Sequence, residues 1–297
     1  MKRETTTVAQ AATPLRLRFF GAIAAMGLAT AILWPLPASA DGSSDTAAVS
    51  TAAPTWSPAP DAHTSLSYTI YSHWLSVMDV TTDFLLTDHK FEVSTSVRAG
   101  GLLAVFVHMN IHAFARGEVV DGVVRPAAYD NAGWSRDALR HVVIDYPAGD
   151  PHVVLVSPPE PRREPVPDDA RRGAVDLLTA MMKSLAQVRK SGTCDGVFQI
   201  YDGLRLTRMT LRTAGMQVAP KVRKEWSAPA LRCDFVGQQV AGFIVDSQNK
   251  SLREPHGGSM WIEDIKGFGP TVVRVEMEHP KVGHMTALLN DPPKLVR

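Results

Sequence analysis

The chain is poor in cysteine, with 2 among its 297 residues. That excludes a structural zinc cluster, an iron–sulfur site and a disulfide-dense scaffold. No charge of one sign dominates either, because 31 Lys+Arg stand against 30 Asp+Glu. A chain that lives on nucleic acid through a basic face is thereby excluded, and no nucleic-acid partner is expected. The sequence lacks a G-x-S-x-G elbow, an H-E-x-x-H pair, a P-loop and a G-x-G-x-x-G turn. The common nucleophile, zinc and nucleotide signatures are thus missing. There is no βαβ rhythm and no repeat of fixed period, which argues against doubly wound sheets and solenoids. What is present is ordinary globular material, 45% hydrophobic and 21% charged, enough for a sizeable core.

Long apolar runs are scarce, and the clearest lies at the start. Lys2, Arg3, Arg16 and Arg18 precede an apolar stretch from Phe19 to Leu33, followed by Pro35, Pro37 and Ala38-Ser39-Ala40. Positive, apolar and small-residue segments in that order predict a secretory signal peptide over 1–40, cleaved after Ala40. No cysteine follows Ala40, so a lipidated N-terminus is not expected. Cleavage removes four basic side chains and Glu4, which turns the balance slightly negative. The expected destination is the periplasm, with the protein soluble once cleaved. Residues 41–64 are mostly Asp, Ala, Ser, Thr, Pro and Gly, and predict a disordered tether in which Trp56 stands alone and exposed.

From residue 65 to 297 a single β-rich domain is expected. Alternating apolar and polar residues predict strands over 66–74, 81–87, 91–97, 140–146, 152–156, 197–201, 204–211, 235–245, 260–265 and 271–277. A further apolar-rich stretch covers 104–115. Asp121-Gly122 and Asp202-Gly203 read as two-residue hairpin turns. In the last strand Val273, Val275 and Met277 predict a packed face, and Arg274, Glu276 and Glu278 a solvated one. Residues 157–168 carry five prolines and read as a connector. A helix near 176–190 follows, with Asp176 as N-cap and Gly192 as C-cap. Ala174, Leu178, Met181, Leu185 and Val188 line one face, widened by Leu177, Met182 and Ala186. So wide an apolar face calls for a concave partner. The expected fold is mainly β: a curved antiparallel sheet, half-barrel or β-spiral, wrapped around one central helix.

An even cysteine count in an exported chain predicts a Cys194–Cys233 disulfide. His108 and His112 lie four apart, and His279 and His284 lie near Glu276 and Glu278. Ten scattered histidines read as surface and core residues, so no metal is expected. His256-Gly257-Gly258-Ser259 reads as a turn. No catalytic residue and no cofactor is predicted.

Several of these segments occur together in a known arrangement. They are the aromatic strand Leu66–Trp74, the segment from Phe91 to Gly101-Leu102, the Pro-rich connector, and the helix start Asp176-Leu177-Leu178. Cys194, the turn Tyr201-Asp202-Gly203-Leu204-Arg205 and Cys233 complete the set. Over most of 64–290 the chain resembles the domain-of-unknown-function 3108 family of exported Gram-negative proteins. A weaker likeness is to periplasmic β-spiral envelope-integrity proteins with one disulfide. The resemblance implies a layout and no catalytic residue. The function expected is non-catalytic binding or carriage of an apolar envelope molecule, a lipid or acyl chain. Leu178, Met181, Met182 and Leu185 would then form a cavity wall, because methionine adapts to irregular acyl shapes. The other expectation is a structural or protein-interaction module that supports envelope integrity.

Overall fold

This computed structural model describes residues 54–101, 104, 108–135, 138–220, 226–247, 250–279 and 283–296, and among them fourteen strands and two α-helices follow one another. The signal peptide expected over 1–40 and tether residues 41–53 lie outside the described residues. The first seven strands are β1 (Thr64–Ser72), β2 (Leu75–Leu86), β3 (Lys90–Ala99), β4 (Asn110–Val120), β5 (Val123–Ser135), β6 (Ala138–Asp145) and β7 (His152–Ser157). The connector then holds α1 (Asp168–Arg171) and leads to α2 (Leu177–Ser191). The rest are β8 (Gly196–Tyr201), β9 (Leu206–Val218), β10 (Pro229–Ala241), β11 (His256–Ile265), β12 (Gly269–His279), β13 (Gly283–Leu289) and β14 (Lys294–Leu295).

All strands join one antiparallel sheet, ordered β7-β6-β5-β4-β3-β2-β1-β13-β12-β11-β10-β9-β8. Short β14 also pairs with β1, matching Thr64 to Leu295. The sheet has two ends, β7 and β8, and does not close into a barrel. It consists of two meanders joined where β1 pairs with β13, with Tyr68 opposite Leu289. Local sequence explains the meanders. Phe91 and Val93 are buried on β3 while Glu92 and Ser94 face out, the period-two pattern of a half-packed strand. At the β4–β5 turn Asp121 and Gly122 both have positive φ, 54° and 75°, as a two-residue hairpin requires. Gly117 marks a bulge in the same pair, where a Cβ would lie 2.0 Å from the Arg125 carbonyl oxygen.

Several elements depart from the sequence reading. The Asp202-Gly203 turn is longer than two residues: the Asp202 carboxylate accepts from the Leu204 and Arg205 amides at 3.0 and 2.7 Å, so β9 starts at Leu206. His256–Ser259 is the start of β11 rather than a turn. Its glycines permit close strand approach, since a Cβ at Gly258 would meet the Glu276 carbonyl oxygen at 2.2 Å. Trp74 lies beyond β1 and is exposed. Arg274, expected on a solvated face, is buried. Its guanidinium packs on the Trp261 ring and pairs with Glu276. The tether ends before residue 64: Thr64 is buried in β1, and Ser57 donates to Asp264 at 2.7 Å. Trp56 packs half-buried beside Leu231 and Ile262 instead of standing exposed.

The caps of α2 are those expected. The Asp176 side chain accepts from the Thr179 amide at 2.8 Å, and Gly192 takes φ 68°. The helix packs against β3, β4, β5, β8 and β12. Leu178 and Met182 enter a core with Phe91, Ile144, Tyr201 and Leu289. Val188 enters a second cluster around Cys194, Leu231, Cys233 and Ile262. Cys194 and Cys233 are bonded, with Cα atoms 6.2 Å apart.

Candidate functional site

The apolar wall expected on α2 divides into three environments. Leu178 and Met182 are buried in the main core, and Leu185 packs beside it. Met181 is 45% exposed, and Leu177, placed by spacing on the widened face, is 51% exposed. The inward stripe therefore runs through 178, 182, 185 and 188. Leu177 and Met181 occupy the neighbouring row, which faces away. Thr179 is buried in its place, because its hydroxyl donates to Asp176 at 2.6 Å. Tyr146 also donates to Asp176 at 3.1 Å. Burial raises the Asp176 carboxyl above its usual range, against the pull of these hydrogen bonds. Leu178, Met181, Met182 and Leu185 line neither of the two grooves described next.

The larger groove, about 900 Å³, opens beside the β4–β5 hairpin and is bounded by Tyr146, Pro147, Val175 and Lys183. Burial holds the Lys183 ammonium below its usual range. Glu118, Asp145 and Arg125 also border it, so its charge has no single sign.

The smaller groove, about 390 Å³, lies over β9, β10 and β12. Its floor is Met209, Phe235 and Met277, all half-buried. Gly237 faces Met209 across the β9–β10 ladder, and a Cβ there would lie 3.2 Å from the Met209 Cε. The rim comes from separate parts of the chain. Arg163 reaches in from the Pro-rich connector, where its residue bridges Ile244. Arg205 comes from the turn before β9, and Phe243 and Arg253 from the segment between β10 and β11. The Arg253 guanidinium stacks 3.9 Å from the Phe243 ring centroid. The site thus combines sulfur and aromatic apolar surface with fixed cations, the composition of a small-molecule groove.

Among the described residues no group of three or more His, Cys, Asp or Glu could hold a metal. His112 meets the Ser94 hydroxyl at 3.0 Å, and His284 meets Glu278 at 2.9 Å.

A family model described as a protein of unknown function (DUF3108) matches residues 67–290. The chain belongs to the DUF3108 family. The match runs from within β1 to just past β13 and includes both cysteines. No curated protein matches this DUF3108 chain. Among solved structures it is similar to a β-barrel-like protein of domain of unknown function DUF1849 from Brucella abortus. That likeness has 9% identity and a TM-score of 0.43, covering 80% of this chain and 98% of the other. A DUF1329 family protein from Desulfovibrio piger is also similar, with 9% identity and a TM-score of 0.22, covering 79% and 85%.

Sequence reasoning missed the groove of this DUF3108 chain entirely. Met209, Phe235 and Met277 lie on three strands, and no local spacing joins them. The available signal was Gly237 and Gly257 in strands otherwise rich in large residues, since glycine in a strand marks a close approach or a gap.

Proposed function

We propose that this is a non-catalytic periplasmic protein of the cell envelope that binds an apolar envelope molecule in the groove over β9, β10 and β12. The observation that carries this reading is the floor of Met209, Phe235 and Met277, left half-buried beneath a rim of arginines. Half-buried methionine and phenylalanine gain apolar contact when an acyl chain displaces water from them. The volume sits near the lower bound of about 300–1,000 Å³ for small-molecule sites, which suits one chain. In this reading the two meanders curve as a half-barrel around α2, and the groove sits at the end of the C-terminal one. The signal peptide read over 1–40 supports the location. No helix among the described residues is long and apolar enough to cross a membrane.

The test is mass spectrometry of organic extracts from gently purified protein, with displacement of a fluorescent fatty-acid analogue. The reading predicts co-purified lipid and displaceable analogue, with Phe235→Ala weakening both. A wild-type protein that is empty and binds no analogue overturns it.

A second reading, an interaction module for envelope machinery, has one observation in its favour. Trp134 and Leu139 face each other across β5 and β6 and are 41% and 65% exposed. Val154 and Leu155 on the end strand β7 are exposed as well. Retained envelope integrity in a Phe235→Ala strain, lost in a Leu139→Asp strain, favours the module.

A further inference from the structure

The groove is lined by more charges than it leaves available. Arg163 is spent: its guanidinium donates to Glu160 at 2.8 Å and to the Gly242 carbonyl at 2.6 Å. Arg205 is spent on Asp202 at 2.7 Å. Glu278 has one hydrogen bond, with His284 at 2.9 Å, His256 meets the Ser251 carbonyl at 2.7 Å, and His279 is engaged within the fold. Among the described lining residues, Arg253 and Glu254, opposite in charge and adjacent in sequence, are the two whose charged groups have neither a hydrogen bond nor an ion pair. Arg253 has its stacking contact with Phe243 but no ion pair among the described residues. The Glu254 carboxylate has no partner there either, although its amide is bonded to Ser251. Both residues are exposed and both line the groove.

We infer that the groove takes a single-chain amphiphile with a zwitterionic head, its anionic group on Arg253 and its ammonium on Glu254. This rests on the apolar-binding reading of the same groove. A guanidinium resting over an aromatic ring can still donate its N–H groups to a phosphate, and the ring contact reduces the freedom it loses on binding. A purely anionic head would satisfy Arg253 but meet the negative charge that Glu254 places on the same rim. A neutral head would leave both charges as they are. Only a head carrying both signs complements the pair, and the apolar floor beneath requires a tail.

The test is calorimetric titration with lysophosphatidylethanolamine, lysophosphatidylglycerol and monoacylglycerol of one chain length, and with tailless glycerophosphoethanolamine. The zwitterionic lysolipid should bind tightest. Arg253→Gln should weaken both lysophospholipids about tenfold, the scale of a lost charged hydrogen bond, and leave monoacylglycerol unchanged. Glu254→Gln should abolish the advantage of the ethanolamine head over the glycerol head. Monoacylglycerol binding as tightly as the lysophospholipids overturns the head-group inference while the apolar-binding reading stands. Tailless glycerophosphoethanolamine binding as tightly as the lysolipid overturns the inference too, because the tail then contributes nothing. If no probe binds, the reading of the groove fails and the inference falls with it. Both side chains are exposed, so unchanged melting curves are expected for the two variants.

Discussion

Asp176 stands at the centre of a buried polar cluster. Its carboxylate accepts from the Thr179 amide, the Thr179 hydroxyl and the Tyr146 hydroxyl, and it is completely buried. Asp176→Ala removes the helix cap and orphans buried donors, so a loss of at least about 2 kcal/mol is expected in urea unfolding. Asp176→Asn keeps an accepting oxygen and should lose markedly less. Glu263 is the opposite case. It is buried with one carboxylate oxygen unpartnered, and burial raises its carboxyl above the usual range. The neutral acid is thus the form that suits the fold. Its favourable contribution is complete below the unfolded carboxyl range and is lost as pH rises through the raised value. Glu263→Gln should therefore melt higher than wild type near pH 8, with the gap shrinking towards about pH 3, in paired thermal scans. The cap at Asp176 was legible because it depends on neighbours three residues away. The burial of Glu263 was not, because it depends on the packing of several strands.

At the scale of elements, α2 separates two methionines that sequence spacing had placed on one face. Met182 is buried in the core and Met181 is 45% exposed. Met182→Ala should cost about 2–5 kcal/mol, and Met181→Ala should stay within about 0.5 kcal/mol, by chemical denaturation. The strands were legible where one face is packed and the other wet, as in β3. They misled where both faces are covered, as at Arg274, since burial on the second face leaves no trace in period-two alternation. The groove was illegible for a related reason: its floor and rim come from the connector, the turn before β9, three strands and the segment after β10. The disulfide spans from the entrance of β8 to the middle of β10, across β9. Its sequence separation of 39 corresponds to about 4 kcal/mol at most on the chain-entropy model. A Cys194→Ala/Cys233→Ala double variant should show a lower urea midpoint by that order, with the far-ultraviolet spectrum of a sheet retained.

Taken as a whole, the molecule is two meanders, and each pairs strands that are neighbours in sequence. The pairing of β1 with β13 is different, since Tyr68 and Leu289 are far apart along the chain. Each meander can begin to form from local hairpins, but their union must await a loop closure of nearly the whole domain, whose entropy opposes it. The joint between the meanders is accordingly a kinetic feature as much as an architectural one. Refolding should show hairpin-scale hydrogen-exchange protection within β2–β5 before protection appears on β1 and β13. A chain emerging in order from its amino end holds β1 with one side open until β13 arrives. Until then that strand is the part of the protein most exposed to the wrong neighbour.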